Sequence, residues 1–243
     1  MAHIELRLYS FVNKEKTMAK EKIVLITGAS SGIGEATAKT LVNNGHKVIL
    51  TARREEQLNQ LVAELGSDNA MAVAADATDF TALENVVTKG IEKFGRLDVA
   101  FANAGMGVST AGTEKGDPDE WSTMIDINIK ALLWSAKLTL PYLRETTGHF
   151  ILTSSAAGRK PIGGSIYGAT KWFAYGFGQN LAEEMSEWNG RCTTIAPGMV
   201  NTPFFDEAKP DKLDPQDVAD AVLFAIEANQ RNSVREIYLM PTN

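Results

Sequence analysis

A glycine-rich turn between a predicted strand and a predicted helix limits the fold of this chain more than any other stretch. The segment 22–27 is short, apolar and rich in β-branched residues, which predicts a buried parallel strand. It leads into Thr27-Gly-Ala-Ser-Ser-Gly-Ile-Gly34, and a helical pattern comes next over 35–44. Glycines at such a turn let a pyrophosphate approach the backbone and let the helix pack closely on the strand. The order strand, glycine turn, helix therefore predicts a dinucleotide-binding site.

The remainder of the chain repeats this alternation of strands and helices. It predicts a single α/β domain of Rossmann type, with about seven strands in a doubly wound parallel sheet and helices on both faces. The longest predicted helix, 121–144, is expected to be kinked or interrupted near Pro141. Further strands are predicted at 46–51, 70–75, 97–101, 149–155, 191–196 and 236–240, and helices at 55–65, 80–94, 165–188 and 215–228.

The first 17 residues differ in character from the rest of the chain. They carry several charged side chains and no apolar core, so they are not expected to act as a secretory signal. Ile4, Leu6 and Leu8 alternate with polar residues, which leaves a short added strand open. We expect 1–17 to be an extension of unknown role and 18–243 to form the folded domain.

Charge and residue usage exclude several classes of function. A net charge of -6 disfavours a general nucleic-acid surface. The single cysteine, Cys192, cannot form an internal disulfide, and its strand-like setting predicts a buried thiol in a cytoplasmic protein. Three scattered histidines give no metal-ligand spacing, so no metal site is expected. No apolar run approaches the roughly 20 residues of a membrane span.

The end of the second predicted strand indicates which cofactor is preferred. Dinucleotide folds place an acidic residue there to bind the ribose hydroxyls, but this chain has Ala52 followed by Arg53 and Arg54. A guanidinium binds a 2′-phosphate that a carboxylate would repel, so the sequence predicts NADP(H), with Arg53 as the first candidate. The alternative is that both arginines only begin a solvated helix.

Two acidic residues after the third predicted strand have competing interpretations. Asp76 stands at the carboxyl end of that strand, where it can accept a hydrogen bond from the adenine amine. Alternatively, either Asp76 or Asp79 only caps the helix predicted at 80–94.

A tyrosine and a lysine four residues apart supply the chemistry. Tyr167 and Lys171 project from one helical face, and an ammonium one turn away is expected to lower the phenol pKa from its ordinary value of about 10. Such a tyrosine can exchange a proton with a carbonyl oxygen. On its own the pair is a common accident of helices. Asn128 is unusual too, because its amide lies on an apolar helical stretch and needs buried partners.

These motifs occur together in one order, and the chain from 22 to 243 thereby resembles the short-chain dehydrogenase/reductase family. The resemblance implies an NADP(H)-dependent oxidoreductase that interconverts a carbonyl and an alcohol by hydride transfer. The motifs that carry it are Thr27-Gly-Ala-Ser-Ser-Gly-Ile-Gly34, Ala102-Asn-Ala-Gly105, Asn128, Ser154-Ser155, Tyr167-x-x-x-Lys171 and Pro197-Gly198.

The resemblance also implies roles for individual residues. Tyr167 would be the general acid/base, Lys171 would lower its pKa and bind the nicotinamide ribose, and Ser155 would polarise the substrate carbonyl. Asn128 would anchor a water in a proton relay. Contacts to the cofactor are implied for Gly28, Ser30, Ser31, Gly32, Ile33, Gly34, Arg53, Asp76, Asn103, Ala104, Gly105, Tyr167, Lys171, Pro197, Gly198, Val200 and Thr202.

The chain departs from the family pattern at two places. Ser155 precedes Tyr167 by 12 residues, one fewer than in many members, whereas Ser154 precedes it by 13. Ser155 is preferred because Ala156-Ala157-Gly158 matches the run after the catalytic serine, and Ser154 is the alternative. Ala102 also replaces the first asparagine of the turn that ends at Gly105, a change that we expect to be tolerated.

Substrate and assembly are less constrained by the sequence. A partly apolar pocket predicts a small to medium carbonyl compound or alcohol, and an aromatic Tyr167 helix predicts a homodimer or homotetramer. The main rival is an NADP(H)-binding sensor without turnover, which would be expected to lack the tyrosine or the lysine; a sugar-nucleotide epimerase would need a longer C-terminal part. The candidate pocket residues are Met106, Val108, Pro161, Ile162, Met199, Phe204 and Phe205.

Overall fold

The computed structural model describes residues 20–205 and 207–242; the extension 1–17 and its predicted short strand lie outside them. Within the described residues, seven strands form one parallel sheet in the order β3-β2-β1-β4-β5-β6-β7. The strands are β1 Ile23–Thr27, β2 Lys47–Ala52, β3 Ala70–Ala74, β4 Val99–Ala102, β5 His149–Thr153, β6 Arg191–Pro197 and β7 Glu236–Leu239.

Helices cover both faces of this sheet. The first, second and seventh helices pack on one face, and the third, fifth and sixth pack on the other. Most predicted bounds agree with the structure to within three residues. The helices are α1 Gly32–Asn43, α2 Glu55–Leu65, α3 Phe80–Phe94, α4 Pro118–Ile125, α5 Ala131–Thr146, α6 Ile166–Ser186 and α7 Pro215–Glu227.

Strand β1 lies inside the sheet, between β2 and β4, and is buried on both faces. Val24 and Ile26 belong to the apolar core beneath α1, α2 and α7, whereas Ile23 and Leu25 belong to the core beneath α3, α5 and α6. Successive side chains of a strand point to opposite faces of the sheet. Because both faces of β1 are covered, the strand is uniformly apolar. The predicted doubly wound parallel fold is confirmed.

The strand order reverses between β1 and β4, which places a crevice at their carboxyl ends. β1 is paired with β2 on one side and with β4 on the other, so the connections leave the sheet in opposite directions there. Ligands of open α/β sheets bind at such a switch point. The fold thus brings together the glycine turn after β1 and the segment after β4.

The predicted interruption near Pro141 is misplaced. Pro141 lies inside α5, which continues to Thr146, and the irregular segment is instead a π-helical turn at Asp126–Lys130. Asn128 stands in the middle of this turn and is buried. The helix therefore departs from α geometry where a buried amide reaches partners outside it, as π turns near functional sites commonly do.

Helix α6 approaches the sheet closely at one glycine. A Cβ atom on Gly178 would overlap Thr194 Oγ1 on β6 and would lie 3.0 Å from Leu152 Cδ2 on β5. Gly176, two residues earlier in the same helix, faces open space within the chain. Comparing substitutions at the two positions therefore distinguishes the effect of close packing at Gly178 from the general cost of a glycine in a helix.

We expect Gly178→Ala to lower the free energy of unfolding by about 1–3 kcal/mol, because an added methyl group overpacks this contact. Gly176→Ala is the matched control, and it should raise that free energy by up to about 1 kcal/mol through helix propensity. Urea denaturation followed by circular dichroism measures both changes. Equal effects of the two substitutions would contradict the close approach of α6.

Candidate active site

Hydrogen bonds join the ends of β1 and β4 at the switch point. The backbone N–H groups of Asn103 and Ala104 both donate to Thr27 Oγ1, each at 3.1 Å. The side-chain amide of Asn103 donates to the Thr27 carbonyl at 3.2 Å and accepts from the Thr153 hydroxyl at 3.2 Å. Asn103 thereby ties together the carboxyl ends of β1, β4 and β5. Thr27 begins the glycine motif, but neither Thr27 nor Thr153 is among the site residues that the sequence predicts.

The glycine turn leaves the start of α1 open to an anion. Ser31 is the N-cap residue, yet its side chain makes no hydrogen bond to the first turn of the helix. Gly28 and Gly32 have positive φ angles of 67° and 55°, and a Cβ atom on Gly34 would overlap the Gly28 carbonyl. Each glycine is therefore needed for the path of the backbone. Free amides and the positive end of the helix dipole suit a phosphate group.

Arg54, rather than Arg53, contacts the glycine turn. Its guanidinium donates to Ser30 Oγ at 2.9 Å and to Ser31 Oγ at 2.6 Å. Arg53 is also exposed, and its charge acts on Asp76. The sequence analysis names Arg53 as the first candidate, but a sequence pattern alone does not show which of two adjacent arginines reaches the turn. The direction of the backbone at the end of β2 decides which one lies over the turn.

The two acidic residues after β3 have separate structural positions. Asp79 caps α3, because its carboxylate accepts from the N–H of Ala82 at 3.0 Å. The carboxylate of Asp76 accepts from the N–H and hydroxyl of Thr78 at 2.9 and 2.7 Å. Burial raises the pKa of Asp76, but the Thr78 hydrogen bonds and the charge of Arg53 outweigh this and lower it overall. Asp76 is thus held as an anion at the strand end, and its adenine contact stays a prediction.

Helix α6 presents Tyr167 and Lys171 to the carboxyl ends of the strands. Ser165 caps this helix, its hydroxyl accepting from the N–H of Gly168 at 2.9 Å. Lys171 Nζ lies 5.7 Å from the centroid of the Tyr167 ring and donates to the Thr153 carbonyl at 3.0 Å. The predicted common face of the helix is confirmed, and the lysine is anchored at the end of β5.

The structure distinguishes the two candidate serines. Ser154 is buried, and its hydroxyl donates to the Lys171 carbonyl at 2.8 Å, so it is engaged with the backbone of α6. Ser155 instead forms a hydrogen bond with the Tyr167 hydroxyl. Its oxygen also accepts from the N–H of Ala157 at 3.1 Å and lies 3.4 Å from the Pro197 carbonyl oxygen. The geometry therefore favours Ser155 as the serine that shares a site with Tyr167.

The pKa shifts of the pair differ from the expectation. Burial lowers the pKa of Lys171 to about 8, because the amine is removed from water. Burial raises the pKa of Tyr167, and its hydrogen bond with Ser155 only partly opposes this. The expected lowering of the tyrosine pKa by Lys171 is therefore not found. The reason is burial, because it disfavours the phenolate and the ammonium alike.

Asn128 has the buried partners that its position required. Its side-chain oxygen accepts from the N–H of Met106 at 2.9 Å, and its amide donates to the Met106 carbonyl at 2.9 Å and to Thr170 Oγ1 at 3.0 Å. The side chain thus ties the segment after β4 to α6. Gly105 lies in the same place, since a Cβ atom on it would stand 3.2 Å from Asn128 Oδ1 and 3.3 Å from Lys171 Nζ.

The segment after β6 closes the site from the other side. The N–H of Gly198 donates to the Leu239 carbonyl at 2.7 Å, and Val200 is buried. The Thr202 methyl carbon would lie 3.0 Å from a Cβ atom on Gly32. Thr202 therefore packs directly on the glycine turn, whereas Ile33 packs on the apolar core beneath α1. Their contacts to a cofactor stay predictions.

One predicted pocket residue, Phe204, lies beside Tyr167, and a second, Phe205, lies beside Phe204. The Phe204 ring lies 5.7 Å from that of Tyr167, and the Phe205 ring lies 5.2 Å from that of Phe204. The others differ in placement: Met106 is held by Asn128, Val108 is half-buried, and Pro161, Ile162 and Met199 are exposed.

Some chemistries find no support elsewhere in the structure. In the part of the chain that the structure describes, no three His, Cys, Asp or Glu side chains are grouped so that they could hold a metal ion. Over the same residues, no helix has the length and apolar character needed to cross a membrane. Cys192 is buried in β6, and burial raises the pKa of its thiol to about 12. It is thus a structural thiol, as predicted from its strand setting.

Known proteins resemble this chain in sequence and in fold. The family model for short chain dehydrogenase matches residues 22–213. An uncharacterized oxidoreductase of Staphylococcus epidermidis is 38% identical over 229 residues, which cover 91% of this chain and 98% of that protein. A serine dehydrogenase of Escherichia coli is 34% identical, with a TM-score of 0.83 over 90% of this chain and 97% of that one. An alcohol dehydrogenase of Thermococcus sibiricus, complexed with 5-hydroxy-NADP, is 28% identical, with a TM-score of 0.85 over 92% and 97%.

The buried lysine predicts how stability depends on pH. Lys171 has a pKa of about 8 in the folded chain, against an ordinary value of 10.5, so between these values the unfolded chain binds more protons. The free energy of unfolding of the unaltered protein, minus that of Lys171→Met, should fall by about 3 kcal/mol as pH drops from 10.5 to 8. It should level off below about pH 7, where Lys171 is protonated in both states. Denaturant titrations across this range measure the difference, and a pH-independent difference would refute the shifted pKa.

Proposed function

Because this chain belongs to the short-chain dehydrogenase family, we propose that it is an NADP(H)-dependent oxidoreductase that interconverts a carbonyl compound and an alcohol. The observation that carries the proposal is the hydrogen-bonded pair Tyr167 and Ser155, with buried Lys171 one helical turn away. This group lies at the carboxyl ends of the strands, where dinucleotides bind in such folds. The substrate is a small to medium carbonyl compound or its alcohol.

The residues of the glycine turn fit a dinucleotide. The open start of α1 and the glycines Gly28, Gly32 and Gly34 leave room for a pyrophosphate beside free amides. Arg54 already holds the hydroxyls of the turn, and Arg53 stands next to it, so two guanidinium groups can reach a 2′-phosphate. A serine dehydrogenase 32% identical to this chain is complexed with NADP+, and a Brucella melitensis reductase 25% identical with NADH. The arginines support NADP(H) for this chain.

When bound, the nicotinamide supplies or accepts the hydride, and the protein moves the proton. Tyr167 donates its hydroxyl proton to the substrate oxygen as negative charge develops there. Ser155 orients the same oxygen through its own hydroxyl. Because burial raises the pKa of Tyr167, the phenol is protonated near neutral pH, which is the form that carbonyl reduction requires. Lys171, held by Thr153, provides an ammonium group that can bind ribose hydroxyls.

Asn128 has a positioning role in this proposal. Its amide holds the backbone of Met106 on one side and the Thr170 hydroxyl of α6 on the other. It therefore fixes the distance between the segment after β4 and the helix that carries Tyr167. The proposal also includes a proton relay in which Asn128 anchors a water molecule and Lys171 takes part.

The competing function is a sensor that binds NADP(H) without turnover. The enzyme is favoured because the chain has Tyr167, Ser155 and Lys171 and brings them together at the carboxyl ends of the strands. NADPH oxidation against a panel of aldehydes, aliphatic and aryl ketones and keto esters separates the two, with NADH in parallel. Tight NADPH binding without oxidation of any panel member would favour the sensor.

The proposal includes self-association in a cytoplasmic setting. Trp172 and Phe173 on α6 are 45% and 38% exposed, and Phe173 stacks on Phe177 at 6.2 Å. Exposed aromatic side chains on one helix suit a subunit interface, so the protein is proposed to be a homodimer or homotetramer. The single cysteine is buried and reduced, which suits the cytoplasm.

Replacing the tyrosine tests the mechanism. Tyr167→Phe should lower kcat by about 100- to 10,000-fold, because the proton donor is lost, while NADPH affinity changes little. Stopped-flow absorbance measures hydride transfer, and quenching of protein fluorescence measures binding. Tyr175→Phe, two turns further along α6, is the control and should retain activity. Loss of NADPH binding in Tyr167→Phe would assign the residue a structural role instead.

Replacing the arginines tests the cofactor preference. Arg53→Ala and Arg54→Ala should each raise the KM for NADPH by about tenfold or more, because a charge-assisted bond to the 2′-phosphate is lost. The KM for NADH, which lacks this phosphate, should change by less than about twofold. Arg235→Ala removes an exposed arginine paired with Glu183 and serves as the control. Equal increases for both cofactors would contradict the 2′-phosphate assignment.

A further inference from the structure

The ring of Phe204 covers one side of Tyr167. The two ring centroids are 5.7 Å apart, with the planes tilted by 56°, so the rings are in contact. Phe204 is nevertheless 44% exposed, which leaves nearly half of its surface free. An apolar surface is therefore fixed beside the phenol that donates the proton.

Neighbours on both sides hold the Phe204 ring in place. Gly107, in the segment after β4, lies under its edge: a Cβ atom there would be 3.1 Å from Phe204 Cζ. On the other side, the N–H of Phe204 donates to Thr202 Oγ1 at 3.3 Å, and Thr202 packs on Gly32. The position of the ring thus depends on a residue without a side chain and on the glycine turn.

This placement has a consequence for any substrate. The reacting oxygen must reach the Tyr167 hydroxyl, so one substituent of the carbonyl carbon must lie beside the tyrosine ring. Phe204 already occupies part of that surface. A small apolar substituent can pack against its exposed face, whereas a bulky one must displace the ring from Tyr167, Gly107 and Phe205.

We propose that Phe204 is the specificity-determining residue of this site and limits the substrate to carbonyl compounds with a small apolar substituent. The inference rests on the proposed function and adds to it a substrate class. The absence of a side chain at Gly107 provides the space that the ring needs. Phe204 acts by steric exclusion and apolar contact and takes no part in proton transfer.

The test compares ketones of different size. In Phe204→Ala, the ratio of kcat/KM for an aryl ketone to that for a short aliphatic ketone should rise by about tenfold or more. Phe224→Ala is the control: Phe224 is exposed on α7, across the sheet from α6, and its removal should leave the ratio within about twofold. Phe204→Leu retains apolar bulk and should give an intermediate ratio. An unchanged ratio in Phe204→Ala, or equal changes in Phe204→Ala and Phe224→Ala, would overturn the proposal.

A second measurement does not depend on turnover. If Phe204 covers Tyr167, its removal exposes the phenol to water and should lower the tyrosine pKa, which burial raises. Ultraviolet absorbance of the phenolate measures this pKa, with the corresponding Tyr167→Phe proteins subtracted as blanks. If the unaltered protein reduces none of the ketones, the proposed function fails, and this titration alone decides whether Phe204 covers Tyr167. An unchanged tyrosine pKa in Phe204→Ala would then refute the claim that Phe204 shields Tyr167 from water.

Discussion

The hydrogen bonds of Thr27 and Asn103 are the interaction on which the site depends. They join β1 to the segment after β4 at the point where the strand order reverses. The side chain of Asn103 passes the link on to Thr153 and so to the end of β5. Because Thr153 also holds Lys171, the position of the amine depends on the same set of strand ends.

Burial determines the electrostatics of the site more than pairing does. Lys171 and Tyr167 lie one helical turn apart, but the lysine is held by a backbone carbonyl, and its pKa falls to about 8. Burial also raises the pKa of the Tyr167 phenol, so it stays protonated near neutral pH.

The sequence predicted the architecture because its signals are local. The buried strands are short apolar runs, the helices have an apolar face at a period of 3.6, and the glycine turn stands between them in a fixed order. The shared face of Tyr167 and Lys171 results from helical spacing alone. The buried amide of Asn128 also required partners from any apolar helical stretch, although the sequence could not name Met106 and Thr170 as those partners.

The sequence by itself determined the order of strands and helices, the glycine turn after β1 and the helical face that carries Tyr167 and Lys171. Only the tertiary structure decided that Arg54 contacts the turn, that Ser155 faces Tyr167, and that Phe204 covers the phenol. Each of these depends on the direction of a side chain relative to elements far away in the sequence. Local patterns fix which residues share a face, whereas burial and side-chain direction arise only once the sheet brings those faces together.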